Sequence, residues 1–161
     1  MSVRPVGPGD LEAWCGMRRA LWPDAAPAEL LEEAEAYLRG ADPLQAMFLG
    51  VGSAGEAWGM LELSLRSVAE GCRTTPVPYV EGWYVVPEVR RRGIGRQLMA
   101  AAETWARERG YAEIASDAVI GNLLSERAHL ALGFVEVERA IHFRKDLRVA
   151  PTTTQPSGGE S

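Results

Sequence analysis

A mixed α/β domain, with helices packed around one twisted sheet of parallel and antiparallel strands, follows from three features of this chain. Its 161 residues suit a single core, because a chain of that size buries roughly two thirds of its unfolded surface. Apolar runs on either side of Gly52-Ser53-Ala54-Gly55 predict an antiparallel hairpin. A strand, helix, strand succession from Tyr79 to Asp117 predicts a right-handed crossover and a locally parallel pair.

The elements follow in order. Ser2 to Val6 reads as a strand, and Asp10 after Pro8-Gly9 as the N-cap of a helix whose stripe is Leu11, Trp14, Cys15, Arg18, Leu21 and Trp22, stopped by Pro23. Ala28 to Leu38 is a second helix closed by Gly40, with Glu32, Glu33 and Glu35 as a solvated face. Met47 to Val51 and Trp58 to Leu65 form the hairpin. Ser67 to Pro78 has no period and reads as a long surface loop, a type that is often functional. Tyr79 to Val86 is a strand, Gly93 to Arg109 a helix, Ala112 to Asp117 a strand and Asn122 to Leu132 a helix ended by Gly133. Phe134 to Val137 and Ala140 to Lys145 are expected to close the sheet as two strands. The expected domain is 1–149, and 150–161 reads as a disordered tail because apolar side chains run out there.

Composition narrows the function. At 47% hydrophobic the chain is too apolar for disorder, yet no run reaches the roughly 20 residues that span a bilayer, and the start lacks a signal region. A cytoplasmic protein without a membrane partner is expected. The net charge of −5 disfavours nucleic acid and favours a cationic partner. Cys15 and Cys72 lack the spacing of a redox or metal pair, so both read as inert thiols and no metal is expected.

The most informative stretch is Glu81 to Leu98, where a strand ends in a basic, glycine-containing turn and a helix begins. Such a turn aims free backbone N–H groups and the positive end of the helix dipole at one point, which suits a pyrophosphate. Arg91, Arg92 and Arg96 would add charge-assisted hydrogen bonds, and Gly93 and Gly95 leave room for approach. The plainer reading is a turn shaped by glycines with a solvated run of arginines. A P-loop string is absent, and a dinucleotide fingerprint would need glycine where Leu98 stands. Glu81 and Asp117 lie in or at the end of the strands beside this turn. Carboxylates there would attract a cationic amine and relay its proton, although Glu81 also fits a solvent-facing strand residue and Asp117 a turn or cap.

Arg90-Arg91-Arg92-Gly93-Ile94-Gly95, with Asn122 and Ala131-Leu132-Gly133-Phe134 further on, resembles the motifs of GNAT-type N-acetyltransferases. The resemblance implies the GNAT acyl-CoA N-acyltransferase fold, a central twisted mixed sheet splayed at a V-shaped split and flanked by about four helices. Acetyl-CoA would lie in that split as co-substrate. Trp83, Tyr84 and Val85 would pair with its pantetheine arm, Arg91, Arg92, Gly93, Ile94, Gly95 and Arg96 would hold its pyrophosphate, and Asn122 would touch it from the next helix.

Arg18 to Pro23, Val80-Glu81-Gly82, Ala115-Ser116-Asp117 and His129 to Phe134 further resemble the chromosomal-type aminoglycoside 6'-N-acetyltransferases, over about residues 1 to 146. That implies direct attack of an antibiotic amine on the thioester, with Glu81 and Asp117 catalytic, Trp22 and Glu138 at the acceptor site and Glu70 joining them from the long loop. It also implies a homodimer and a role in resistance. Three positions depart from the pattern: His129 stands where many GNAT enzymes place a Tyr as general acid for the CoA thiolate, Val68 where the aminoglycoside group has an aromatic Tyr, and Phe143 where a Tyr is expected. A polyamine or a protein N-terminal amine is the alternative acceptor, and a non-catalytic acyl-CoA sensor the alternative class.

Overall fold

Five strands lie side by side in chain order: β1 (Ser2–Pro5), β2 (Leu44–Val51), β3 (Ala57–Arg66), β4 (Val77–Val85) and β5 (Ala115–Ser116). The structure, a computed structural model, describes residues 1–41 and 43–148. β1 to β4 are joined antiparallel and β5 runs parallel to β4, so the sheet is mixed and open. Four helices flank it: α1 (Leu11–Leu21), α2 (Pro27–Leu38), α3 (Ile94–Glu108) and α4 (Leu123–Ala131).

The alternation of side chains along β2 and β3 sends residues to two cores. Ala46, Phe48, Leu61 and Leu63 pack with Ile94, Leu98, Met99 and Ala102 of α3. Met47, Leu49 and Met60 face the other way, onto Trp14, Cys15 and Met17 of α1 and Ala34 of α2. With both faces covered, these central strands need apolar residues at successive positions. Each fully buried Leu or Ile of the α3 stripe contributes roughly 1.5–3 kcal/mol.

A polar group is sunk in the second core. Glu62 is 1% exposed and accepts a 2.7 Å hydrogen bond from Trp14 Nε1. Arg18 Nε lies 3.1 Å from the same carboxylate, while its terminal nitrogens donate to the Leu30 carbonyl and to Glu33. Glu33 is therefore tied to Arg18 rather than only solvated.

Several sequence expectations are corrected. Phe134–Val137 and Ala140–Lys145 do not form strands. β5 is only two residues long, too short to template a ladder on its free edge, and Val135, Val137, Ile141 and Phe143 are exposed. Asp10 holds the N-cap position of α1 as expected, but its carboxylate accepts from Arg4 and from the Gly7 N–H rather than from the helix. β4 begins at Val77, inside the expected loop. The rest of that loop is pinned by Glu113, which accepts from the N–H groups of Arg73 and Thr74. The expected tail, 150–161, lies outside the described residues.

Candidate active site

β4 and β5 share two rungs, Tyr79 with Ala115 and Val80 with Ser116, and then part. On the other side of β4 the ladder to β3 slips at the same level: Leu63 pairs with Val80 but Glu62 with Gly82, leaving Glu81 as an extra residue. A bulge of this kind bends the strand and re-aims a side chain. Here it falls at the level where β4 and β5 part, and it leaves Glu81 without a rung partner.

Glu81 is held by three donors. Arg66 binds it through Nε at 2.9 Å and a terminal nitrogen at 2.6 Å, and the Ser64 hydroxyl donates to the same carboxylate. Burial pushes the Glu81 carboxyl up, but the hydrogen bonds from Arg66 and Ser64 and the guanidinium charge outweigh it and hold the group below its ordinary range. The Arg66 guanidinium also lies 3.5 Å over the ring of Tyr79. Burial, the neighbouring charge of Asp117 and a hydrogen bond to it push the Tyr79 hydroxyl up to about 12, so Tyr79 stays protonated beside Asp117. Glu81, Arg66, Tyr79 and Asp117 thus form one continuous chain of contacts.

That chain opens into a cleft of about 340 Å³ lined by Arg66, Glu70, Tyr79, Asp117, His129 and Glu138, among others. The structure therefore brings Asp117, Glu70 and Glu138 to one cavity and links Glu81 to it through Arg66. Trp22 does not line it. Its ring sits on Gly82, where an added Cβ would come within 2.8 Å of it, and 5.3 Å from the Arg18 guanidinium.

The expected coenzyme residues surround the other mouth of the split. Val86 N–H bonds Trp58 on the β3 side, so by alternation the amide of Val85 faces the split. The Val85 carbonyl is already occupied by Arg90 Nε at 2.9 Å. Gly93 adopts φ 84° and Arg91 φ 63°, both left-handed, and no side chain caps α3. The first-turn N–H groups therefore converge without intrahelical partners, as an anion site requires. Arg91, Arg92 and Arg96 are exposed around them. Ile94 is 1% exposed, so only its backbone can meet a ligand. A Cβ on Gly95 would come within 3.0 Å of Trp83, whose buried Nε1 has no hydrogen-bond partner. Asn122 uses its side-chain oxygen to cap α4 through Ser125 N. These free amides, the exposed guanidiniums and the orphaned indole donor suit a polyanionic, acceptor-rich coenzyme.

Sequence reasoning passed over Arg66, Ser64, Tyr79 and Arg90. The alternation of β3 places Ser64 and Arg66 on one face, but only the bulge reveals that Glu81 joins them. Cys15 is buried in the α1 core, and burial pushes both Cys15 and Cys72 thiols up, away from reactivity. Among the described residues no group of three His, Cys, Asp or Glu is placed to hold a metal, and no helix is long and apolar enough to cross a membrane.

Comparison with known proteins gives concordant results. The acetyltransferase (GNAT) family model matches residues 11–134. An aminoglycoside N(6')-acetyltransferase type 1 of Klebsiella aerogenes is 48% identical over 147 residues, covering 90% of this chain and 96% of the relative. One of Stenotrophomonas maltophilia is 40% identical, covering 91% and 94%. Among solved structures, AAC(6')-Iy in complex with the bisubstrate analogue CoA-S-monomethyl-acetylneamine superposes with a TM-score of 0.82 at 38% identity, over 90% of this chain and 97% of that one. The apo 6'-N-acetyltransferase AAC(6')-IG of Acinetobacter haemolyticus gives 0.80 at 34%, over 91% and 99%.

Proposed function

The chain belongs to the acetyltransferase (GNAT) family, and from that premise we propose that it transfers the acetyl group of acetyl-CoA to the 6'-amine of an aminoglycoside, by direct attack in a ternary complex, and so confers resistance to such antibiotics. The observation that carries this reading is the acid-lined cleft at the β4–β5 split, where Asp117, Glu70 and Glu138 meet and Glu81 adjoins. A polycationic sugar matches several carboxylates far better than a neutral or acidic acceptor does.

In this reading each part of the site takes a role. The free amides at the start of α3 with Arg91, Arg92 and Arg96 hold the pyrophosphate, and the open edge of β4 at Trp83 to Val85 receives the pantetheine arm. Gly93, Ile94 and Gly95 act through their backbone, and Asn122 borders the coenzyme from α4. An attacking amine needs its lone pair free, so its ammonium proton must leave first. Glu81, kept anionic by Arg66 and Ser64, draws in the ammonium and accepts that proton through a water. Asp117, steadied by Tyr79, orients the amine. The Val85 N–H stabilises the developing oxyanion. Trp22, packed on Gly82, supports β4 from outside the cleft.

We read 1–149 as one domain that acts in the cytoplasm, where acetyl-CoA is made. A homodimer fits the exposed, alternating Val135, Val137, Ile141 and Phe143, apolar side chains that a second copy would cover.

The test is release of CoA thiol with kanamycin or tobramycin as acceptor. Turnover well above hydrolysis supports the reading. Turnover only with spermidine or peptide amines, or coenzyme binding without transfer to any amine, overturns it.

A further inference from the structure

On α4, His129 makes contacts that the transfer reaction above leaves unused. Its Nδ1 lies 2.8 Å from the Ser125 carbonyl oxygen, a group that can only accept, so Nδ1 carries the proton and donates. Nε2 then holds a lone pair 2.9 Å from Ser116 Oγ, and the Ser116 hydroxyl is the donor to it. The ring is fixed edge-on by Trp83 and Phe134, each with its centroid 5.2 Å away. A hydroxyl hydrogen-bonded to an imidazole that is itself oriented by a third group is the arrangement of an activated serine nucleophile.

Its position gives that arrangement a substrate. Ser116 is the last residue of β5 and sits opposite Val80, on the rung where the two strands part. Both Ser116 and His129 line the cleft. We propose that Ser116, with His129 as its base, takes the acetyl group from the bound thioester when no amine is present and passes it to water, giving the enzyme a slow acyl-CoA hydrolase activity through an acetylserine. This rests on the reading that the acetyl thioester occupies the β4–β5 split.

The steps balance without a further reactant. Ser116 Oγ bonds to the thioester carbonyl carbon as the carbon–sulfur bond breaks, and the hydroxyl proton passes to His129 Nε2 and then to the departing thiolate. Water, losing a proton to the same nitrogen, attacks the ester. The bond to Ser116 Oγ breaks, the proton returns to it, and acetate leaves with its own proton released to solvent.

The full chain is incubated with trideuteroacetyl-CoA and no amine, quenched in acid, and its peptides mapped. Labelled acetyl on Ser116, with thiol release that Ser116→Ala abolishes and His129→Gln lowers by about a hundredfold, is the expected result. Thiol release unchanged in Ser116→Ala, with no label on Ser116, overturns the proposal even if the same preparation acetylates an aminoglycoside. Should Ser116→Ala fail to fold by circular dichroism, the peptide map of the unaltered chain decides alone. If calorimetry shows no acetyl-CoA binding, the proposed function falls. p-Nitrophenyl acetate then reads the serine directly: a burst with acetyl on Ser116 supports the dyad, and no burst overturns it.

Discussion

Arg18–Glu62 and Arg66–Glu81 pair the same two residue types, and their carboxylates sit on neighbouring strands, since Glu62 faces Gly82 across the β3–β4 ladder and Glu81 precedes Gly82. Their surroundings differ completely. The first pair is shut beneath α1, with side chains 6% and 1% exposed, and its spare donors end on the Leu30 carbonyl and Glu33. The second stands at the split with side chains 42% and 28% exposed, where an incoming cation can compete for the carboxylate. An ion pair sealed from water resists separation because each partner would be left desolvated, whereas one at a solvated mouth can exchange partners cheaply. One step along β4 from the residue that faces Glu62 thus separates a structural acid from one available to substrate, and that step is the extra residue of the bulge.

The largest test of this contrast is Glu62→Ala, which leaves the Trp14 N–H without its acceptor and the Arg18 Nε without its carboxylate in the core. A loss of about 3–5 kcal/mol is expected by chemical denaturation; a variant as stable as the parent would break the distinction. Glu81→Gln should instead keep the fold to within about 1 kcal/mol while lowering kcat/KM for an aminoglycoside by about a hundredfold, read from thiol release alongside a thermal melt. Arg91→Ala, on the coenzyme side, should weaken CoA by roughly 1.5–3 kcal/mol in calorimetry and leave the melting of the free protein unchanged.

The smallest effect sharpens the comparison through pH. Because hydrogen bonds from Arg66 depress the Glu81 carboxyl, that pair's contribution to stability is present above the carboxyl's unfolded value and fades as pH falls through its folded one. Arg66→Met removes the depression and leaves burial to push the group up, so the acid limb of the kcat/KM profile should move to higher pH. An unmoved limb would show that Glu81 does not govern it.

Much of this was legible in the sequence for a definite reason. Helical spacing and the strand, helix, strand succession are local signals, and α1 to α4 and β1 to β4 appear within a few residues of where periodicity puts them. The basic turn was equally plain, because glycine and arginine placed before a helix are constrained by backbone geometry alone. The last two expected strands were not found, since alternation states which face is apolar but not which chain supplies the neighbour. The clamp on Glu81 was hidden for a related reason. It depends on a one-residue slip between β3 and β4, which no pattern within either strand encodes, and Tyr79 and Asp117 meet only because the crossover sets β5 beside β4.

The bare α-carbon of Gly82 has its own consequence for how this enzyme could evolve. A methyl group there would begin 2.8 Å from the Trp22 ring, and that ring leans on the arginine that locks the helical layer to the sheet. A larger side chain at this point of β4 would therefore disturb the packing of the whole α1 side. Changes in which antibiotics are tolerated have an easier route through the rim around Glu70 and Glu138, where side chains face water and neighbours can give way.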